Sequence, residues 1–337
     1  MLNRKVTGDN DVNLLPPTQL FLFDTYVKPI LLHGSEVWSS ANCRNRANIL
    51  KDPHTQNAIN ISPIDKVQTD YCKYILGLGQ KASNTATLAE LGRYSLDIEI
   101  KVKIIKFWYR IISMPENHIL YKSYKTAASL DDNGFCSWAS TVRLILQNNG
   151  FNYIWLRQTS PDKINIDRLL TKLTSVLKDQ YQQLFHGKIW DDDVISGTSN
   201  KLCFYRKFKS AYDLEPYLKF VHRSQHRKFL TKLRISNHCL RIETGRYCNE
   251  KREERKCQFC NTSSVESETH FILYCPAYDD LRTNFFDYLA NFIPNFSALP
   301  DEVKLKHIID QPQKGIARES AQYVFACFNH RKSKLCT

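Results

Sequence analysis

The sequence predicts a mostly α-helical fold, in which a helical region and connector precede a small metal-binding module. Three observations predict it. Apolar residues recur at three- and four-residue spacing through several long segments, the mark of helices with one buried face. Strand-like alternation is weak throughout. Cys257 and Cys260, separated by two residues, are followed by His270 and Cys275, a set that suits one tetrahedral ion.

The bulk properties set the frame. The chain has 337 residues, 42% of them hydrophobic and 24% charged, enough apolar material for one large domain or two to three smaller ones. The N-terminus, MLNRKVTGDNDVNLLPP, has no apolar core of a signal peptide, and no run of 18 apolar residues occurs. The expectation is an intracellular protein of the cytoplasm or nucleus, neither secreted nor membrane-bound. Its eleven cysteines are then expected to be reduced. The scattered ones, Cys43, Cys72, Cys136, Cys203 and Cys327, read as small buried hydrophobes.

Each element follows from local pattern. Residues 1–19 are read as a loose N-terminus and 20–112 as the first helical region. Leu20, Phe23, Val27, Ile30 and Leu31 fall at helical spacing, with Pro29 as a site for a kink. Residues 39–62 read as a loop. Residues 64–78 predict a helix with Val67, Tyr71, Tyr74 and Ile75 on one face, stopped by Gly77 and Gly79. In 96–112 the polar positions Glu99, Lys103, Lys106 and Arg110 recur every three or four residues, one wet stripe on a largely buried helix. Residues 113–256 are read as a connector. Within it 113–135 reads as a non-helical link, 138–147 as a helix, and Asn165 as the N-cap of a helix with its apolar stripe from Ile166 to Leu184. The acidic run 187–200 reads as loop. Residues 257–292 form the metal module and 293–337 a C-terminal tail.

Charge is concentrated. The chain carries +13. Residues 201–256 hold sixteen basic and six acidic side chains, a difference of +10. Phe204, Tyr205, Phe208, Tyr212, Tyr217, Phe220, Phe229 and Tyr247 interleave with them. Cations beside flat rings suit backbone and stacking contacts with nucleic acid, although each aromatic taken singly reads as a core residue. The candidate contacts are Arg223, Arg227, Lys228, Lys232, Arg234, Arg241, Arg246, Arg252, Arg255 and Lys256.

The stretch runs directly into the metal motif. Cys257 and Cys260 clamp one side of an ion from a tight turn; His270 and Cys275 close the other. Four such ligands leave no open position, so the ion is expected to be a structural Zn2+. A site of this kind contributes on the order of 10 kcal/mol to local folding. The plainer reading is two structural thiols, a surface histidine and a core cysteine. His238, Cys239 and Cys248 stand near in sequence and read as packing residues. Phe271, Ile272 and Tyr274 are expected to form the module's small core, with Leu281, Phe285, Phe286, Tyr288 and Leu289 on a following helix.

Residues 24–38 (DTYVKPILLHGSEVW), 64–78 (IDKVQTDYCKYILGL) and 90–94 (ELGRY) closely resemble the region after the catalytic palm of non-LTR, LINE-type retrotransposon reverse transcriptases. Residues 234–247 (RISNHCLRIETGRY) and 257–282 (CQFCNTSSVESETHFILYCPAYDDLR) resemble the zinc-binding C-terminal part of the same polyproteins. The resemblance covers roughly residues 20–290, with His33 where relatives usually have Tyr. It implies a thumb-like first region, a Cys-Cys-His-Cys zinc module, and binding of RNA and target DNA.

The resemblance also implies that the endonuclease, fingers and palm would lie before residue 1. A polymerase needs paired aspartates holding two metal ions. Ala277-Tyr278-Asp279-Asp280 is the nearest match, but it follows Cys275 and Pro276 and opens a helical pattern. Asp279 and Asp280 read as helix N-terminal charges, and Asp191-Asp192-Asp193 as solvated loop. The expectation is a non-enzymatic fragment that binds RNA or DNA with little sequence preference and takes no small-molecule substrate. Two rivals are a zinc-dependent protein-interaction module and, against the four-ligand count, a zinc hydrolase.

Overall fold

The computed structural model describes residues 14–39, 62–158, 160–190 and 200–335. The expected loop at 40–61, with Cys43, and the run Asp191-Asp192-Asp193 lie outside the described residues. The helices, in chain order, begin with α1 (Pro16–Leu22), α2 (Lys28–Leu31), α3 (Ser35–Trp38), α4 (Pro63–Leu76), α5 (Asn84–Glu90) and α6 (Leu96–Ile112). Then come α7 (Ile119–Asp132), α8 (Trp138–Asn148), α9 (Asn152–Leu156), α10 (Ile166–Trp190) and α11 (Tyr217–Phe220). The last are α12 (Ser224–Arg234), α13 (Arg241–Tyr247), α14 (Asp279–Ala290), α15 (Asp301–Ile309) and α16 (Lys314–Leu335). Among the described residues the only β-pairings are two isolated bridges, Leu91 with Leu214 and Lys256 with Val265. The fold is mostly α, as the periodicity predicts.

The chain forms two compact units. One comprises residues 1–21, 69–93 and 185–337; the other comprises 22–68 and 94–184.

In the 22–68/94–184 unit the core is built on α6. Trp108 is fully buried, its ring 6.1 Å from that of Trp155, and its indole N–H donates to the Tyr124 hydroxyl. Ile104, Ile105, Val142, Leu146, Leu169 and Leu173 pack around it. Full burial of each such aliphatic chain contributes about 1.5–3 kcal/mol. Asp65 fixes the start of α6: its carboxylate accepts from the Ser95 hydroxyl at 2.7 Å and the Leu96 N–H at 2.8 Å, satisfying groups a helix terminus leaves open. Pro29 behaves as its chemistry requires. It cannot donate to a helical ladder, and a π-helical turn, Phe23–Val27, stands just before α2.

Two expectations are corrected here. Residues 113–135 are not a non-helical link, because α7 occupies most of them. His118 caps it by accepting from the Leu120 N–H at 3.2 Å. Tyr124 and Asp131 of α7 are buried, and Ala127 and Ala128 pack against the core. Arg143 on α8 grips Asp131 through two hydrogen bonds of 2.6 and 2.9 Å. Secondly, α10 runs to Trp190, so residues 187–190 belong to the helix that Asn165 starts by accepting from the Arg168 N–H.

In the other unit the C-terminal residues are structural. The expected tail at 293–337 instead forms α15 and α16. Ile316, Ala317, Ala321, Val324, Cys327 and Phe328 of α16 are buried, at the spacing of one helical face. Phe328 lies 5.3 Å from Phe229 of α12 and 4.7 Å from Phe271, next to His270.

The same unit encloses an ionic network. Glu90 and Arg234 are both fully buried and meet at 2.5 Å. Arg234 also binds Glu215 at 2.5 Å and the Ile309 carbonyl at 2.7 Å. The Tyr205 and Tyr217 hydroxyls donate to Glu90, and Lys209 pairs with Glu215. Each buried charge therefore has a partner, which is the condition for tolerating it.

Candidate metal centre

The metal loop is held by a short hairpin. The Cys257 N–H donates to the Ser264 carbonyl at 2.8 Å, and the Glu266 N–H to the Arg255 carbonyl at 2.9 Å. Cys260 sits in the turn between these segments. His270 and Cys275 come from a π-helical turn, His270–Tyr274, closed by a Cys275 N–H to His270 carbonyl bond of 2.8 Å. The turn type matters. In an α-helix, residues five apart are rotated by about 140°, whereas an i→i+5 bond returns them to one side.

The four ligand atoms lie within 4.8 Å of one another. Cys257 Sγ to Cys275 Sγ is 3.8 Å, and Cys260 Sγ to His270 Nε2 is 3.4 Å. A tetrahedron with metal–sulfur bonds of about 2.3 Å and metal–nitrogen bonds of about 2.0 Å has edges of roughly 3.8 and 3.5 Å. The residues present therefore fit a tetrahedral metal ion. The expected set, Cys257, Cys260, His270 and Cys275, is brought together.

The surroundings tune the ligands. Burial pushes the Cys257 and Cys275 thiols up, Cys275 to about 12, while backbone hydrogen bonds from Phe259 and Ala277 oppose the rise. Burial acts the same way on Cys260, but the hydroxyl and backbone of Thr262 outweigh it and hold that thiol below its ordinary value. All three sulfurs thus have a backbone partner two residues downstream, a repeated geometry that suits thiolate. Burial lowers His270, which keeps its imidazole neutral and able to ligate. Binding an ion would displace the thiol protons.

Comparison with protein families, with curated proteins and with solved structures finds no match to this chain.

Residues around the ligands lock the loop. Arg331 of α16 binds both carboxylate oxygens of Glu266 at 2.9 and 3.1 Å. Its guanidinium lies 4.8 Å over the ring of Phe259, between the paired cysteines. Arg282 donates to the Ile272 and Cys275 carbonyls and so caps the π-turn. Sequence reasoning missed both arginines; only the helical spacing of α16 could have indicated Arg331. Asp279 is bound by Arg282 at 2.5 Å and begins α14 with Asp280. His238 is turned to Glu268 at 3.2 Å and lies outside the cluster. Cys239 and Cys248 are exposed. Phe271 and Ile272 are fully buried, but Tyr274 is exposed and donates to Asp301. Tyr278 takes the expected core place of Tyr274, its ring 4.9 Å from Phe271.

The ten candidate cations divide sharply. Arg223, Arg252 and Lys256 are exposed, and Lys228 and Lys232 partly so. Arg241 pairs with Glu250, Arg246 with Glu243, and Arg255 donates to the Ile242 and Glu250 carbonyls. Arg234 and Arg227 are internal, a correction to their expected surface role. Arg234 is held by Glu90 and Glu215, and Arg227 donates to the Val221 and His222 carbonyls. Of the interleaved aromatics, Phe204, Tyr205, Phe208, Tyr212 and Tyr217 are core, while Tyr247 is exposed. No described helix is long and apolar enough to cross a membrane.

Proposed function

We propose that the chain is a non-enzymatic nucleic-acid-binding module, similar to the C-terminal region of LINE-type reverse transcriptases, with a structural zinc ion at Cys257, Cys260, His270 and Cys275. The donor set supports zinc over other metals: three thiolates and an imidazole at tetrahedral spacing suit a soft to borderline ion without an open position. The ion would fix the hairpin and the π-turn.

One observation carries the nucleic-acid reading. Arg252 and Lys256 remain exposed directly before the clamped metal loop, in a chain of net charge +13. Exposed cations on a rigid support release counterions from a phosphate backbone without reading sequence. The test is fluorescence anisotropy with a labelled single-stranded RNA across a salt series. Five phosphate contacts predict a log–log salt slope of roughly −3 to −4. No binding at low salt, or binding indifferent to salt, would contradict the reading.

A second reading is a zinc-dependent protein-interaction module. It predicts a partner whose retention is independent of salt and lost on chelation.

A further inference from the structure

We infer that a groove between the start of α12 and one face of α16 is a binding site for a phosphate of single-stranded nucleic acid, with a base against Phe325. This rests on the nucleic-acid reading above and gives it a location.

The groove has a volume of about 570 Å³ and is lined by Arg223, His226, Gln322, Phe325, Asn329 and His330 among others, with no carboxylate in the lining. Volumes of this order accept small ligands or a segment of a chain. The spacing 322, 325, 329 places the α16 residues on one helical face. All its polar groups are neutral or positive, so the chemistry selects an anion.

Three features place the phosphate at the α12 end. His226 is only 8% exposed, and neither of its ring nitrogens has a hydrogen-bond partner among the described residues. His330 Nε2, on α16, is buried without a partner. Polar groups of buried side chains are normally paired, and a ligand oxygen in the groove would pair the His226 ring. The first turn of α12 has no side-chain cap and no acidic residue, so its amide N–H groups are open to an anion. Arg223 stands at its N-cap and faces His226 closely enough to depress it, a burial effect reinforced by the guanidinium. The Arg223 guanidinium supplies the charge for one phosphate, and the neutral His226 ring can donate one N–H to it.

The flat wall supplies the second element. The Phe325 ring lies 4.7 Å from that of His226 at 30°, and 5.5 Å edge-on to Phe229. An aromatic held from behind is a stacking platform for a base of any identity. This accounts for strand binding with little sequence preference, and it favours single strands, whose bases are free to stack.

The experiment titrates a fluorescein-labelled oligouridylate into the full chain at several salt concentrations. It compares the parent with Arg223→Gln, with the double variant Gln322→Glu/Asn329→Asp, and with Asn152→Asp as a charge control in the other unit. Gln322, Asn329 and Asn152 are exposed, and all three changes are near-isosteric. Circular dichroism and metal content report folding. The double variant is expected to bind at least about tenfold more weakly and Arg223→Gln to lower the salt slope by about 0.7, with Asn152→Asp unchanged. A folded double variant with parental affinity and slope would overturn the groove while leaving the nucleic-acid reading intact. A parent that binds no oligonucleotide at low salt would overturn both.

Discussion

The carboxylate of Glu90 and the guanidinium of Arg234, 144 residues apart in sequence, meet at 2.5 Å with neither side chain exposed. Glu90 opens the segment ELGRY, and Arg234 opens RISNHCLRIETGRY. Two motifs that stand out in the sequence are thus joined by one buried ion pair. Arg234 is further flanked by the Phe208 and Tyr217 rings, 4.6 and 5.1 Å from its guanidinium. Replacing Arg234 by Met leaves Glu90 buried without a cationic partner and Glu215 with Lys209 alone. The expected cost is about 3–5 kcal/mol, read as a fall in the urea midpoint. A loss below about 1 kcal/mol would show that the network relaxes without it.

The division between internal and surface arginines has a direct consequence. Arg227→Glu places a carboxylate where two carbonyls now accept from a guanidinium, and is expected to destabilise the fold by several kcal/mol. Arg252→Glu and Lys256→Glu alter exposed positions and should change stability by less than about 0.5 kcal/mol. These two should instead weaken RNA binding and flatten its salt dependence. Equal thermal melts for Arg227→Glu and Arg252→Glu would refute the distinction.

Gly92 gives a backbone test. Its φ is +61°, and a Cβ there would lie 2.7 Å from the Leu214 nitrogen and 2.9 Å from the Asp213 carbonyl carbon. Gly134 has φ +84° with nothing within 4 Å of such a Cβ. Gly134→Ala should cost only the left-handed strain, about 1–2 kcal/mol. Gly92→Ala should cost more, because backbone must move and the Leu91–Leu214 bridge with it. Chemical denaturation of the two variants makes the comparison; a smaller loss at Gly92 would be inconsistent with the close approach.

Arg331 links α16 to the metal loop. Arg331→Met leaves Glu266 buried without its ion pair, and this should cost about 3–5 kcal/mol. It should also speed metal transfer to a chelator, because Phe259 and the hairpin lose their lid. Unchanged release kinetics in a folded variant would separate α16 from the metal centre.

The ligand set was legible in the sequence because two local pairs, Cys257 with Cys260 and His270 with Cys275, carry ligand-type side chains at turn-sized separations. The π-turn that aligns the second pair was not, since π- and α-turns differ in hydrogen bonding rather than composition. The helix at 96–112 was legible from its polar stripe, and Gly77 marked the end of α4 where φ is +66°. α16 is not legible as a core helix because Ser320, Cys327 and Arg331 interrupt Ile316, Tyr323, Val324 and Phe328 on its buried face. Arg227 and Arg234 looked like surface cations because their partners are backbone carbonyls or carboxylates brought near only by the fold.

The most direct measurement is metal content together with X-ray absorption on the purified chain, repeated on Cys257→Ser and along an acid titration. One zinc per chain with three sulfur and one nitrogen neighbours is expected in the parent, and none in the variant. The bound sulfurs are thiolates, and protons compete for them; Cys275, pushed up to about 12 by burial when metal-free, favours its proton. Falling pH therefore drives release and rising pH opposes it. Zinc retained at neutral pH and lost on acidification, with the fold of the module lost alongside, is the predicted result. A folded, metal-free parent, or a bound ion with fewer than three sulfur neighbours, would contradict it.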